Sequence, residues 1–227
     1  MTKNWAVVPV KGLTESKRRL STYLGDKKKL LVEGLLQDVL SSMLQSEVFD
    51  QVYLISQDEN VASNARVKRV NFLSQSGHGL NRAIEQANKL AVREKVDSLT
   101  VVLADIPLVE PRDFEEFFRI GNGIHKAVLV PSLKNGTNVM LTRPPGIIRP
   151  SYGRWSYSKH LRQAQMLKLT TYSFSNSRIS FDVDTVADLT ELTRRDPGKR
   201  TLSSKAIERI SPFLPSEQAY LYLRNSE

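Results

Sequence analysis

The chain has no cysteine, three histidines and 7% aromatic residues among its 227 residues. Without thiols, disulfides, thiolate zinc sites and a cysteine nucleophile are excluded. His78 reads as a surface-loop residue, and neither His125 nor His160 has a sequence partner that would make a Ser-His-Asp arrangement. The phosphate-cradling spacings G-x-x-x-x-G-K-[ST] and G-x-G-x-x-G are both missing. Long apolar runs are missing too. No stretch approaches the ~20 residues of a membrane span, and Trp5 to Val10 is too short for the apolar core of a signal segment. These absences point to a cytoplasmic protein with no membrane partner.

What is present is an ordinary globular composition, 40% hydrophobic and 25% charged, with a net charge of +9. That length suits one α/β domain with a small appendage. The positive balance asks for an anionic partner, either nucleic acid or a phosphorylated small molecule. Between Lys11 and Lys29 stand seven basic residues (Lys11, Lys17, Arg18, Arg19, Lys27, Lys28, Lys29) against Glu15 and Asp26. A second basic cluster, Arg194, Arg195, Lys199 and Arg200, is diluted by Asp196, Glu208, Glu217 and Glu227.

Short apolar runs alternate with longer amphipathic stretches, the order expected of a mostly parallel, Rossmann-like sheet in a three-layer α/β/α fold. Strands are predicted at 5–10, 51–56, 67–73, 99–104, 127–132, 139–143, 169–174 and 179–184. Helices are predicted at 27–45 with Asp26 as cap, after Gly79, from Pro111 through Phe117, at 156–165 and at 186–193. Residues 1–195 are assigned to the main domain. Residues 196–227 form a helical extension packed on that domain or on a second copy in a homodimer.

Ligands of open α/β sheets gather at the carboxyl ends of strands, which selects the polar residues just past each one. PVKGLTESKRRLS, after the first strand, offers Gly12 for close backbone approach, hydroxyls at Thr14 and Ser16, and Lys11, Lys17, Arg18 and Arg19 for phosphate charge. It reads as a phosphate site or as a solvated basic loop. Asp105 ends the apolar run LTVVLA, where it either caps the turn or offers a hard oxygen to Mg²⁺. In FDVDT, Asp182 and Asp184 lie two apart on an extended stretch and share a face. Such paired charges need a cation, unless Asp184 caps the next helix and Asp182 pairs with a basic side chain. In GHGLN, the backbone at Gly77 and Gly79 and the Asn81 amide are placed to grip a base or phosphate.

The ordered set PVKGLTESKRRLS, GHGLN, LADIPL, GTNVMLTRPP, YGRWSYSKH and FDVDTVADL resembles the 2-phospho-L-lactate guanylyltransferases of deazaflavin coenzyme biosynthesis. These are relatives of the molybdenum cofactor guanylyltransferases and the sugar nucleotidyltransferases. The resemblance covers residues 5–192 and implies a nucleotide-diphospho-sugar transferase type of fold. It further implies transfer of GMP from GTP to phospholactate, phosphoenolpyruvate or phosphoglycerate, with Mg²⁺. Carried over, the metal-binding aspartates fall on Asp105, Asp182 and Asp184, and the basic loop on Lys11, Lys17 and Arg19. Lys11, Lys17 and Asp105 are thus the candidate catalytic residues; Thr137, Asn138, Gly153 and Ser156 fall on the acceptor site. Where the family commonly has G-x-G-S, this chain has Gly153-Arg154-Trp155-Ser156. The competing expectations are the same fold acting on a sugar phosphate or molybdopterin, and a basic nucleic-acid-binding module.

Overall fold

Both faces of the central apolar runs are buried, which is why they form strands covered by helices on either side. In β1 (Asn4–Pro9) every residue is buried. Ala6 and Val8 join the core on one face, while Trp5 and Val7 join the core on the other. The same alternation holds in β4 (Ser98–Val102), β5 (Lys126–Pro131) and β6 (Thr137–Arg143). Such doubly buried strands lose the polar alternation of a one-sided sheet and become continuous apolar runs. The structure, a computed structural model, describes residues 2–12, 17–64, 70–121 and 123–213.

The seven strands, completed by β2 (Gln51–Ser56), β3 (Val70–Ser74) and β7 (Thr170–Ser173), run in the order β3-β2-β1-β4-β6-β5-β7. All neighbouring pairs are parallel except those made by β6, which is antiparallel to β4 and β5. Because β6 is reversed, it begins beside the end of β4, with Val139 opposite Val102. The mostly parallel three-layer expectation is met.

Helices α2 (Lys28–Gln45) and α5 (Pro111–Ile120) cover one face; α4 (Leu80–Arg93) and α6 (Ser156–Met166) cover the other. Pro111 opens α5 behind a Glu110/Asp113 capping box, as proline in a first turn should. The last helices, α7 (Val186–Arg195) and α8 (Leu202–Ile210), share a third apolar cluster with α2 through Leu31, Leu35, Leu189 and Ile207. Here α8 lies so close to α2 that a Cβ on Gly34 would stand 3.0 Å from the Ser203 backbone. The extension therefore packs on its own chain as far as residue 210.

Several local expectations change. A short helix, α1 (Arg18–Leu24), and another, α3 (Glu59–Asn64), replace segments read as loop or turn. Asp26 lies in a single 3₁₀ turn, Gly25–Lys27, and caps nothing; α2 begins after Lys27 without a side-chain cap. The strand expected at 179–184 is instead the end of a turn and an irregular segment outside the sheet, because its backbone bonds go elsewhere: Phe181 N–H to Arg178 O and Val183 N–H to Asp105 O.

Candidate active site

Val183 N–H donates to Asp105 O at 3.0 Å, and this bond brings the two acidic stretches together. Val183 is itself fully buried, so Asp182 and Asp184 are turned away from the core on either side of it. Thr185 and Asp188 form the capping box of α7, and the Asp188 carboxylate also accepts from Asp184 N–H at 2.9 Å. Asp184 is thus relieved of the capping role and its side chain faces outward.

Lys17 fills the gap between the two stretches. Its Nζ lies 2.5 Å from Asp105 Oδ2 and 2.6 Å from Asp184 Oδ1, although 88 and 167 residues separate them in sequence. Burial would lower the Lys17 pKa, but the Asp105 and Asp184 charges outweigh it and raise the ammonium above its ordinary value. Burial raises Asp182 first and the neighbouring Asp105 and Asp184 charges raise it further, to about 7. Burial opposes ionisation of Asp184 too, yet Lys17 holds its carboxyl below the usual value. Asp105 Oδ1 is buried without a hydrogen-bond partner among the described residues. Lys134, which the sequence did not single out, adds a second cation that favours ionised Asp182 and Asp184; its Nζ reaches Asp188 at 3.1 Å.

Of the three aspartates expected to bind metal, Asp105 and Asp184 meet at the Lys17 ammonium, and Asp182 is close enough to feel both of their charges. Among the described residues no three His, Cys, Asp or Glu side chains form a ready metal cage.

Beside this cluster opens a cavity of about 730 Å³ lined by Lys11, Gly12, Lys17, Gly79, Asp105 and Asp184, together with polar side chains such as Gln57 and His78. It lies past the ends of β1 and β4, where parallel sheets bind ligands. Gly79 sits at φ +95° and ψ 154°, a conformation open only to glycine, immediately before α4. The start of α4 lines the cavity through Gly79, Leu80 and Ala83, and a helix N-terminus is a favourable setting for phosphate.

Other expected residues fall elsewhere. Thr14 and Ser16 and the Arg19 side chain lie outside the described residues. Gly77 is near the cavity but does not line it; its carbonyl accepts from Gln75 Nε2 at 2.9 Å. Asn81 does not line this cavity. It holds the backbone of Tyr152, accepting from its N–H at 2.7 Å and donating to its carbonyl at 3.3 Å.

Thr137 and Asn138 are neighbours on β6 and so face opposite ways. Asn138 donates to Ile179 O at 3.1 Å, steadying the segment that leads to Asp182. Thr137 instead meets His160, which shares a face of α6 with Ser156 one turn earlier. Thr137, Gly153 and Ser156 thus belong to one neighbourhood and Asn138 to another. The unusual Arg154-Trp155 pair is a stacked cation–π contact, 4.3 Å from guanidinium to ring, with Trp155 exposed at the start of α6. The basic tail cluster is largely paired internally. Arg194 and Arg195 bind Glu191, Lys199 binds Glu208, and Arg200 approaches Asp196. This removes much of its value for nucleic acid.

Comparison with known proteins identifies the family and the fold. The sequence profile of a family described as guanylyl transferase CofC like matches residues 4–210, beyond residue 192 and through α8. A phosphoenolpyruvate guanylyltransferase of Sphaerobacter thermophilus is 33% identical, over 85% of this chain and 93% of its own length. A 2-phospho-L-lactate guanylyltransferase of Methanocaldococcus vulcanius is 28% identical over 82% of each chain. In fold, the chain resembles a Desulfovibrio desulfuricans G20 protein provisionally named a nucleotide-diphospho-sugar transferase. Their TM-score is 0.77 at 18% identity, over 94% of this chain and 97% of that one. No helix among the described residues is long and apolar enough to cross a membrane. The chain is a nucleotidyltransferase and belongs to the guanylyl transferase CofC-like family.

Proposed function

We propose that this enzyme transfers GMP from GTP to a small phosphorylated three-carbon acid and releases pyrophosphate, as a cytoplasmic step toward the factor-420 deazaflavin coenzyme. The acceptors in view are phosphoenolpyruvate, 2-phospho-L-lactate and 3-phosphoglycerate. The observation that carries the reading is Lys17, held between Asp105 and Asp184 in the wall of a cavity at the ends of β1 and β4. The names of the relatives support the acceptor class, and the 33%-identical relatives are phosphoenolpyruvate enzymes, so that acid heads the test.

In the reaction, a phosphate oxygen of the acceptor attacks the α-phosphorus of GTP. One P–O bond forms, and the bond to the bridging oxygen breaks as pyrophosphate leaves. The acceptor is itself the nucleophile, so the protein need only position the partners and balance charge. Lys11 and Lys17 meet the triphosphate, and the first amides of α4 add donors at Gly79.

The donor set suits Mg²⁺. Asp105, Asp182 and Asp184 offer hard carboxylate oxygens. One of these oxygens is buried and has no hydrogen-bond partner among the described residues, and a divalent cation would offset both the burial and the like-charge crowding that lift Asp182 to about 7. Bound among them, Mg²⁺ would neutralise phosphate charge as a Lewis acid.

The test is to give purified protein GTP, Mg²⁺ and a panel of phosphorylated acids and sugar phosphates, measuring pyrophosphate and identifying products by mass spectrometry. A guanylylated three-carbon acid is expected. Turnover of sugar phosphates alone would move the acceptor assignment to another class.

A further inference from the structure

Lys17 and a divalent ion would claim the same oxygens. The ammonium is shared by Asp105 Oδ2 at 2.5 Å and Asp184 Oδ1 at 2.6 Å, and its side chain is 10% exposed. A Mg²⁺ ion held about 2.1 Å from Asp105 Oδ2 would lie no more than about 4.6 Å from an ammonium that stands 2.5 Å from that same oxygen. So little water reaches this part of the cavity wall that the repulsion between the two cations is poorly screened.

Among the described residues, Lys17 is the one cation paired with these aspartates. Lys134 is turned to Asp188 instead, 3.1 Å from its carboxylate. The charge of the Asp105–Asp184 pair is therefore answered at short range by a group that the chain itself supplies.

The backbone beneath that group is strained. Lys17 precedes α1 in a left-handed conformation, φ 53° and ψ 51°, and no side-chain cap supports the turn. A residue with a Cβ adopts this conformation at a cost, and only where the surroundings hold it there. Here the two ion pairs are what hold it. A competing anion thus works against less than their full strength. The path is short as well, since Lys17 lines the cavity together with Lys11, Gly12 and the start of α4. A triphosphate lying there lets the ammonium exchange carboxylate for phosphate oxygens without leaving the wall.

We propose that Lys17 is an internal counter-ion that competes with the divalent metal. Its ammonium keeps the bare ion off the Asp105–Asp184 pair, and a nucleoside triphosphate admits the metal by drawing that ammonium onto its phosphates. This rests on the GTP and Mg²⁺ reading given above.

The test measures binding, apart from turnover. Mn²⁺ serves as the probe because it takes the same hard oxygen ligands. Equilibrium dialysis of the full-length protein measures the Mn²⁺ retained without nucleotide and with α,β-methylene GTP, whose α–β bridge resists cleavage. Each variant is first shown to unfold in one cooperative thermal transition. Without nucleotide, Lys17→Met and Lys17→Gln should bind Mn²⁺ about tenfold or more tighter than the wild type, the range for removing one charged hydrogen bond. Adding Asp184→Asn to Lys17→Met should abolish the gain, which places the metal at this pair. In the wild type the analogue should raise the Mn²⁺ retained beyond what the free analogue holds.

Equal or weaker nucleotide-free binding in the two neutral variants overturns the proposal. So does wild-type binding that is already tight without the analogue and unchanged by it, a result that needs no variant to fold. Retention by every form, with Lys17 or without it, removes the competition and leaves the metal reading standing. Retention by none, with analogue or without, removes the metal reading and this proposal with it.

Discussion

Two groups of aspartates in this molecule are treated in opposite ways. Asp113 is 0% exposed, and its carboxylate accepts from Glu110 N–H, Asn176 Nδ2 and the Arg178 guanidinium. Asp196, 1% exposed, accepts from the N–H groups of Arg200 and Thr201 and from the Thr201 hydroxyl. Every such bond offsets desolvation, and both carboxyls titrate below their ordinary value. At the active site Asp105 has an orphaned oxygen, and Asp182 is driven up to about 7. Asp113 and Asp196 are saturated with donors, whereas Asp105 Oδ1 has none among the described residues. That shortage is held in place by the surrounding structure, here the Val183–Asp105 bond and the α7 cap.

The comparison breaks most visibly in activity. Asp182→Asn and Asp184→Asn should each lower kcat/KM by about 10² to 10³, the scale of one electrostatic contact in the transition state. The thermal midpoint of Asp182→Asn should hold or rise, since like-charge crowding is relieved. Full turnover in either folded variant would erase the distinction between the groups.

Asp113→Ala tests the other side. It leaves Arg178 without its main partner and should cost about 3 kcal/mol by urea unfolding, while kcat of the folded fraction stays near wild type. A fall in kcat at unchanged stability would move Asp113 into the catalytic group.

The smallest effect sharpens the contrast by pH. Burial alone would raise Asp196, but the bonds from Thr201 and Arg200 prevail and hold it at about 2. Its folded value lies below the unfolded one, so its contribution is complete above about pH 4 and is lost as pH falls toward 2. Urea unfolding over that window should show about 2 kcal/mol of loss that Asp196→Asn no longer displays. An unchanged slope in the variant would mean that the donors around Asp196 do not favour its ionised form.

The sequence exposed the parts of this fold that depend on local pattern. WAVVPV and LTVVLA are strands because doubly buried positions need no polar alternation, and Pro111 marked the start of α5 by its missing N–H. It exposed Lys17, Asp105 and Asp184 through their residue types and their places after strands. ISFDVD misled because its apolar and polar residues alternate as in a strand, although Ile179, Ser180 and Phe181 are all buried on an irregular segment. The short helices α1 and α3 lacked enough apolar positions to register. His160 stayed hidden for a different reason: its partners, Thr137 and Ser151, are supplied by the tertiary fold, and no spacing within α6 announces them.

The reversal of β6 has a practical reach. A strand running against its neighbours delivers residues to the ligand rim from the loop that enters it, whereas β1 and β4 deliver theirs from loops that leave. Thr137 therefore sits downstream of Lys134 and Gly136, in a connection independent of the one carrying Lys11 and Lys17. Changes of length or sequence in 132–136 can therefore alter how β6 begins while the loop that carries Lys11 and Lys17 keeps its form.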